Sequence, residues 1–95
     1  MSAYAIFTRE KTLNQAEMDI YHAQVQATLA PHDVKLLAAY GPFEDLEGIT
    51  TEGTVIAEFP TMEAAKAWYD SPAYREVRLH RFEGAIYRAT LVQGV

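Results

Sequence analysis

Four short segments of this chain read as β-strands, and none of them alternates cleanly between apolar and polar residues. Between Ala3 and Arg9, Tyr4 and Ile6 oppose Ala3, Ala5 and Phe7. Between Val34 and Tyr40, Leu36, Ala38 and Tyr40 oppose Leu37 and Ala39. In Thr54 to Phe59, Val55, Ala57 and Phe59 oppose Ile56; in Ala85 to Val92, Tyr87, Ala89 and Leu91 oppose Ile86 and Val92. An antiparallel sheet with one wet face alternates apolar-in and polar-out, so these strands need cover on both sides. Helices can supply one cover. The other side is an apolar patch of the kind that marks an interaction surface, and its simplest partner is a second copy of the same sheet. A homodimer with sheets packed face to face is therefore expected.

The remaining segments are helical. Thr12 or Asn14 can cap a first helix whose stripe is Met18, Tyr21, His22, Val25 and Leu29, and Pro31 stops it. Residues 43–52 are polar, acidic and contain Gly48, which predicts a loop or hairpin connection. Thr61 caps a short helix, Met62 to Tyr69, with Met62, Ala65, Trp68 and Tyr69 facing inward. Ser71 and Pro72 restart the chain as N-cap and first helical residue. The helix that follows carries Tyr74, Val77, Arg78 and Arg81 on one side and ends at Gly84. The order is βαββαβ, which predicts an α+β fold: a four-stranded antiparallel ferredoxin-like sheet with its helices on one face. Ninety-five residues make this one domain, 1–95.

Composition narrows the function classes. Eight Lys+Arg against thirteen Asp+Glu leave a net charge of −5, the wrong sign for tracking phosphates or anionic lipid, so neither nucleic acid nor membrane is an expected partner. There is no cysteine, hence no thiolate nucleophile and no Cys-based zinc site. The histidines His22, His32 and His80 lack metal-ligand spacing, and no phosphate loop, nucleophile elbow or dinucleotide fingerprint occurs, so no metal and no cofactor is expected. The N-terminal apolar run is cut short by Arg9-Glu10-Lys11, which predicts a cytoplasmic protein without a secretory segment.

A few side chains could carry chemistry. His22, on the apolar stripe of the first helix, is a candidate general acid/base, against the blander reading of a core histidine with one hydrogen bond. Glu58 sits inside the most apolar strand and needs a partner, for which Arg78, Arg81 and Arg88 are candidates; the alternatives are a structural ion pair or a proton acceptor. Arg78 could hold a ligand carboxylate, although a basic run is more often a solvated helix face. Trp68, Tyr4 and Tyr40 could line an aromatic pocket for a small organic ligand, as they could equally build the core.

The run Glu58-Phe59-Pro60-Thr61-Met62-Glu63-Ala64-Ala65, followed by Trp68-Tyr69-Asp70-Ser71-Pro72 and Tyr74, resembles the domain-of-unknown-function 1330 family. Leu46-Glu47-Gly48 and the closing Leu91 to Val95 fit as well, so the resemblance spans nearly the whole chain. It implies a homodimeric α/β-barrel of ferredoxin-like subunits with no established activity; related barrels include cofactor-independent monooxygenases, haem-handling proteins and muconolactone-type isomerases. Where relatives often place an Arg followed by Gly-Gly, this chain has Ala39, Tyr40 and Gly41, so no role of that arginine carries over.

Three functions stand side by side on this reading. The first is an uncharacterised homodimer that binds a small organic molecule between sheet and helices. The second is a cofactor-independent, monooxygenase- or isomerase-like enzyme acting on a small aromatic or enol-like substrate, with His22 or Glu58 as base. The third is a non-catalytic dimerisation module. A cavity of a few hundred cubic ångströms reaching His22 or Glu58 separates the first two from the third.

Overall fold

The strand-forming runs pair as one sheet in the computed structural model, which describes residues 1–95. The elements are β1 (Ala3–Thr12), α1 (Gln15–Leu29), β2 (Lys35–Ala39), β3 (Gly53–Phe59), α2 (Met62–Tyr69), α3 (Pro72–Gly84) and β4 (Ala85–Gln93). All pairings are antiparallel and the strand order is β2-β3-β1-β4. This is the ferredoxin-like arrangement that the βαββαβ order predicts.

Each helix begins where a side-chain oxygen satisfies a free backbone N–H. Asn14 accepts from Glu17, Thr61 from Ala64 and Ser71 from Tyr74, with Pro72 opening α3. Of the two candidate caps for α1, Asn14 is the one used. Thr12 still belongs to β1, and both its N–H and its hydroxyl donate to Glu52.

The two sides of the sheet differ as the pairing register dictates. Ala3, Ala5, Phe7, Ala57 and Phe59 face the helices and are buried, and β4 brings Tyr87, Ala89 and Leu91 to the same side. The opposite side carries Tyr4, Ile6 and Thr8, Thr54, Ile56 and Glu58, and Arg88, Thr90 and Val92, with Ile6 opposite Ile56 at its centre. No helix of this chain covers it.

Strict alternation fails in β2. Leu36 pairs with Ala57 but Ala38 with Ile56, so Leu37 is an extra residue at a bulge. Leu36 and Ala39, read as opposed in the sequence, thus come to one side of the sheet. The core is aromatic: the Trp68 ring lies 4.0 Å from Tyr74, 5.7 Å from Phe59 and 6.0 Å from Phe7, centroid to centroid. Its indole N–H donates to Thr28 Oγ1 at 3.1 Å, as a buried donor must.

Gly84 lies inside α3 as its last residue, and its position has a packing reason. A Cβ there would stand 2.8 Å from the Met18 side chain and 3.1 Å from the Met18 backbone N. Its carbonyl accepts from the N–H groups of Leu13 and Asn14, tying the end of α3 to the start of α1. No helix is long and apolar enough to cross a membrane.

Candidate functional site

Between α1 and the helix-facing side of the sheet is a cavity of about 190 Å³, and ten of its twelve lining residues are hydrophobic. Tyr21, His22, Val25, Gln26 and Leu29 come from one face of α1; Phe7, Val55, Ala57, Leu36 and Ala39 form the sheet wall, and Tyr40 and Trp68 close the ends. Ala39 and Ala57 present only methyl groups to this space.

His22 stands at the rim. It packs edge-on against Tyr21 and Tyr40, each ring centroid 5.6 Å away. Partial burial pushes its pKa below the ordinary histidine value, the Arg9 charge pushes the same way, and Asp19 opposes them. The imidazole is therefore neutral at pH 7 and able to accept a proton or a hydrogen bond. It has no carboxylate partner; the histidine that does is His80, whose Nδ1 is hydrogen-bonded to Glu17 Oε2 at 2.5 Å.

Tyr40 reaches the cavity through an unusual backbone. Its φ of +57° is left-handed, which costs a non-glycine residue about 1–2 kcal/mol. Its ring occupies the space a side chain on Gly53 would fill, 2.8 Å from that position, and lies 4.7 Å from the Arg9 guanidinium. Its hydroxyl is hydrogen-bonded to that of Tyr87. A second phenol pair parallels it: the Tyr21 and Tyr74 hydroxyls are 2.8 Å apart. Burial raises the pKa of both cavity-lining phenols above the ordinary tyrosine value, and the hydrogen-bonded neighbour adds to the effect, so both are protonated.

Arg81 lies between the two pairs. It is 4% exposed, and its guanidinium carbon sits 5.0 Å from the Tyr87 ring, 5.1 Å from Phe7 and 5.0 Å from Phe82. The ion pairs of the chain are Arg9 with Glu52, His80 with Glu17 and Arg88 with Glu10, so this buried cation faces no carboxylate.

Of the residues singled out from sequence, the fold brings His22, Tyr40 and Trp68 together around the cavity. Glu58 and Tyr4 are on the other side of the sheet, the Tyr4 hydroxyl 3.4 Å from Glu58 Oε2 and Lys35 across the strand pair. The expected arginine partner of Glu58 is absent: Arg88 pairs with Glu10, Arg81 is turned into the core, and Arg78 donates to the Tyr69 carbonyl at 3.0 Å while stacking on the Tyr69 ring. Arg78 is thereby kept apart from the cavity. Sequence reading placed Tyr21 and Arg81 on helix stripes without assigning either to a site, and gave Arg9 no role. The signal for Arg81 was its place at i+7 from Tyr74 and i+4 from Val77, on a stripe whose other members are core residues.

The sequence model of the family described as "Domain of unknown function (DUF1330)" matches residues 2–95. No curated protein matches the sequence. Among solved structures, the chain is similar to a protein of unknown function from Rhodopseudomonas palustris, with a TM-score of 0.75 and 18% identity over 99% of this chain and 82% of that one. It is also similar to a dimeric ferredoxin-like protein of unknown function from Bacteroides fragilis, with a TM-score of 0.66 and 12% identity over 98% and 96%. A third similar structure is SnoaB, a cofactor-independent oxygenase from Streptomyces nogalater, with a TM-score of 0.63 and 10% identity over 99% and 93%. At these identities the likeness is one of fold.

Proposed function

The chain belongs to the DUF1330 family, and from that premise we propose that it is a homodimeric protein that binds a small, mainly apolar organic molecule in the cavity beneath α1. The observation that carries this reading is the cavity itself: about 190 Å³, walled by apolar side chains, with a few polar groups at Tyr21, His22, Gln26 and Tyr40. Small-molecule sites have this make-up, with greasy walls for affinity and few polar atoms for orientation. The chain's single tryptophan is part of the wall, so ligand entry changes its fluorescence. Titration with small aromatic molecules, followed by Trp68 emission and by NMR shifts, tests the reading. Shifts at Tyr21, Val25 and Trp68 support it; no binding by any of them, or shifts confined to the outer side of the sheet, refute it.

The second copy covers the side of the sheet that bears Tyr4, Ile6, Ile56 and Val92. Two features support that partner. The central Ile6–Ile56 pair has no cover within the chain, and similar structures are described as dimeric. Glu58, Tyr4 and Lys35 then stand at the seam between copies, where polar groups rim an apolar centre. A cytoplasmic location accords with the acidic, cysteine-free composition.

A second reading is favoured by one specific feature: a neutral imidazole beside two phenols at the mouth of an apolar cavity. That arrangement suits cofactor-independent proton abstraction from an aromatic or enol-like substrate, with His22 as base. Loss of turnover in His22→Ala with ligand affinity retained supports it, and an unchanged rate removes it. The open cavity and unpaired His22 weigh against a purely structural dimerisation module.

A further inference from the structure

We infer that the molecule held in this cavity carries an anionic oxygen group, as an aryl carboxylate, phenolate or enolate does, and that Arg81 is the positive charge that selects it. The inference rests on the small-molecule reading of the cavity and adds the ligand's charge to it. A guanidinium does not deprotonate in a protein, so Arg81 remains a cation while only 4% exposed. Such a charge is expensive to bury unless it is matched, and the chain supplies no carboxylate for it. Its Nε has no hydrogen-bond partner. What surrounds it is π-density from Phe7, Phe82 and Tyr87, with Tyr74 close enough for the two to interact electrostatically.

The two phenol pairs connect this charge to the cavity. A hydroxyl has one proton to give and two lone pairs to receive with. The Arg81 charge favours the Tyr74 oxygen facing it and the Tyr74 proton pointing to Tyr21, 2.8 Å away, so that Tyr21 keeps a proton to donate. Tyr87, whose ring rests on Arg81, has its hydroxyl hydrogen-bonded to that of Tyr40. Tyr21 and Tyr40 are both cavity-wall residues. The wall thus offers donors backed by the unpaired Arg81 cation. In a water-poor cavity such donors favour an oxyanion far more than they do in water. The acidic surface of the protein does not cancel this through a direct pair, because no carboxylate pairs with Arg81.

The test uses para-nitrophenol, whose own ionisation near neutrality is read from its absorbance, with nitrobenzene as an uncharged control, on the intact protein. The expected result is that bound para-nitrophenol ionises at lower pH than free para-nitrophenol by about one unit or more, a tenfold preference for the phenolate. Arg81→Met, which alters no lining residue, removes most of that shift while nitrobenzene binds as before, and Tyr21→Phe reduces the shift as well. If Arg81→Met does not fold, Arg81→Lys, which keeps the charge, and Tyr74→Phe, which breaks the relay, carry the comparison. An unshifted or upward-shifted ionisation in the wild type overturns the inference but leaves the cavity as a site for neutral molecules. A shift that survives both Arg81→Met and Tyr21→Phe also overturns it. Failure of both probes to bind removes the small-molecule reading and this inference with it.

Discussion

Filling the cavity from its floor separates a binding site from a packing defect. Ala57 is the place to do so, because it lines the cavity from the middle of β3 and is itself buried. Ala57→Val adds two carbons. At about 0.8 kcal/mol per buried CH₂ the gross gain is about 1.6 kcal/mol. Fixing the new side chain costs about 0.5 kcal/mol, and a β-branched residue suits a central strand. The net stabilisation is about 1 kcal/mol, which raises Tm by about 4–8 °C in a domain of this size. Differential scanning calorimetry measures that side of the prediction; Trp68 fluorescence titration with nitrobenzene measures the other, on which the affinity falls. A more stable protein that binds less well is the signature of a cavity kept open for a ligand. A lowered Tm would mean that valine overpacks a wall already in contact, and unchanged probe affinity would mean that the ligand lies elsewhere; either result refutes the reasoning.

Other perturbations address the remaining parts. Ile56→Lys places a charge at the centre of the outer sheet face, opposite Ile6, and is expected to convert a dimer to a monomer at micromolar concentration by light scattering. A wild-type protein that is already monomeric contradicts the face-to-face pairing. Gly84→Ala gains helix propensity but drives a methyl group into Met18, whose backbone N would be 3.1 Å away; overpacking of about 1–3 kcal/mol outweighs a gain of about 1 kcal/mol, and Tm falls in thermal melts. His22 is expected to titrate below the ordinary histidine value in NMR, with burial and Arg9 holding it down. Because the unfolded chain then binds the proton more readily, stability contributed by neutral His22 is present above the ordinary histidine pKa and falls as the pH drops through the window beneath it. Arg9→Gln raises the His22 pKa, and an unaltered titration there contradicts the assigned cause.

Much of the architecture was legible because local chemistry and global fold agree. Ser71-Pro72 and Thr61 announced α3 and α2 without ambiguity, and the β-branched run at Thr54 to Ile56 announced β3. The apolar stripe of α1 located Tyr21 and His22 beside the sheet. Parity arguments failed at β2, since one bulged residue turns every later side chain to the other face. Glu58 was legible as a polar intrusion, yet its neighbours are set by strand pairing, which put Tyr4 and Lys35 beside it where arginines were expected. Tyr40 could not have been placed from its neighbours in sequence: its φ is left-handed, and its ring takes the space left free by Gly53, thirteen residues on.

Arg81, a candidate partner for Glu58 in the sequence, lies instead in the interior, only 4% exposed. On the helix it belongs to the stripe of Tyr74, Val77 and Gly84, all buried, so the backbone carries it inward whatever its charge. Leucine there would fill the same stripe without desolvating an ion, a penalty of several kcal/mol even after relaxation. The Phe7, Phe82 and Tyr87 rings return part of that, at about 2 kcal/mol for a well-desolvated cation–π contact. They do not provide the directed acceptor that Nε lacks. A cation so placed is a poor device for stability and a good one for fixing which way the protons of Tyr74 and Tyr21 point. Stability alone does not account for Arg81; a demand for polarity at the cavity wall does.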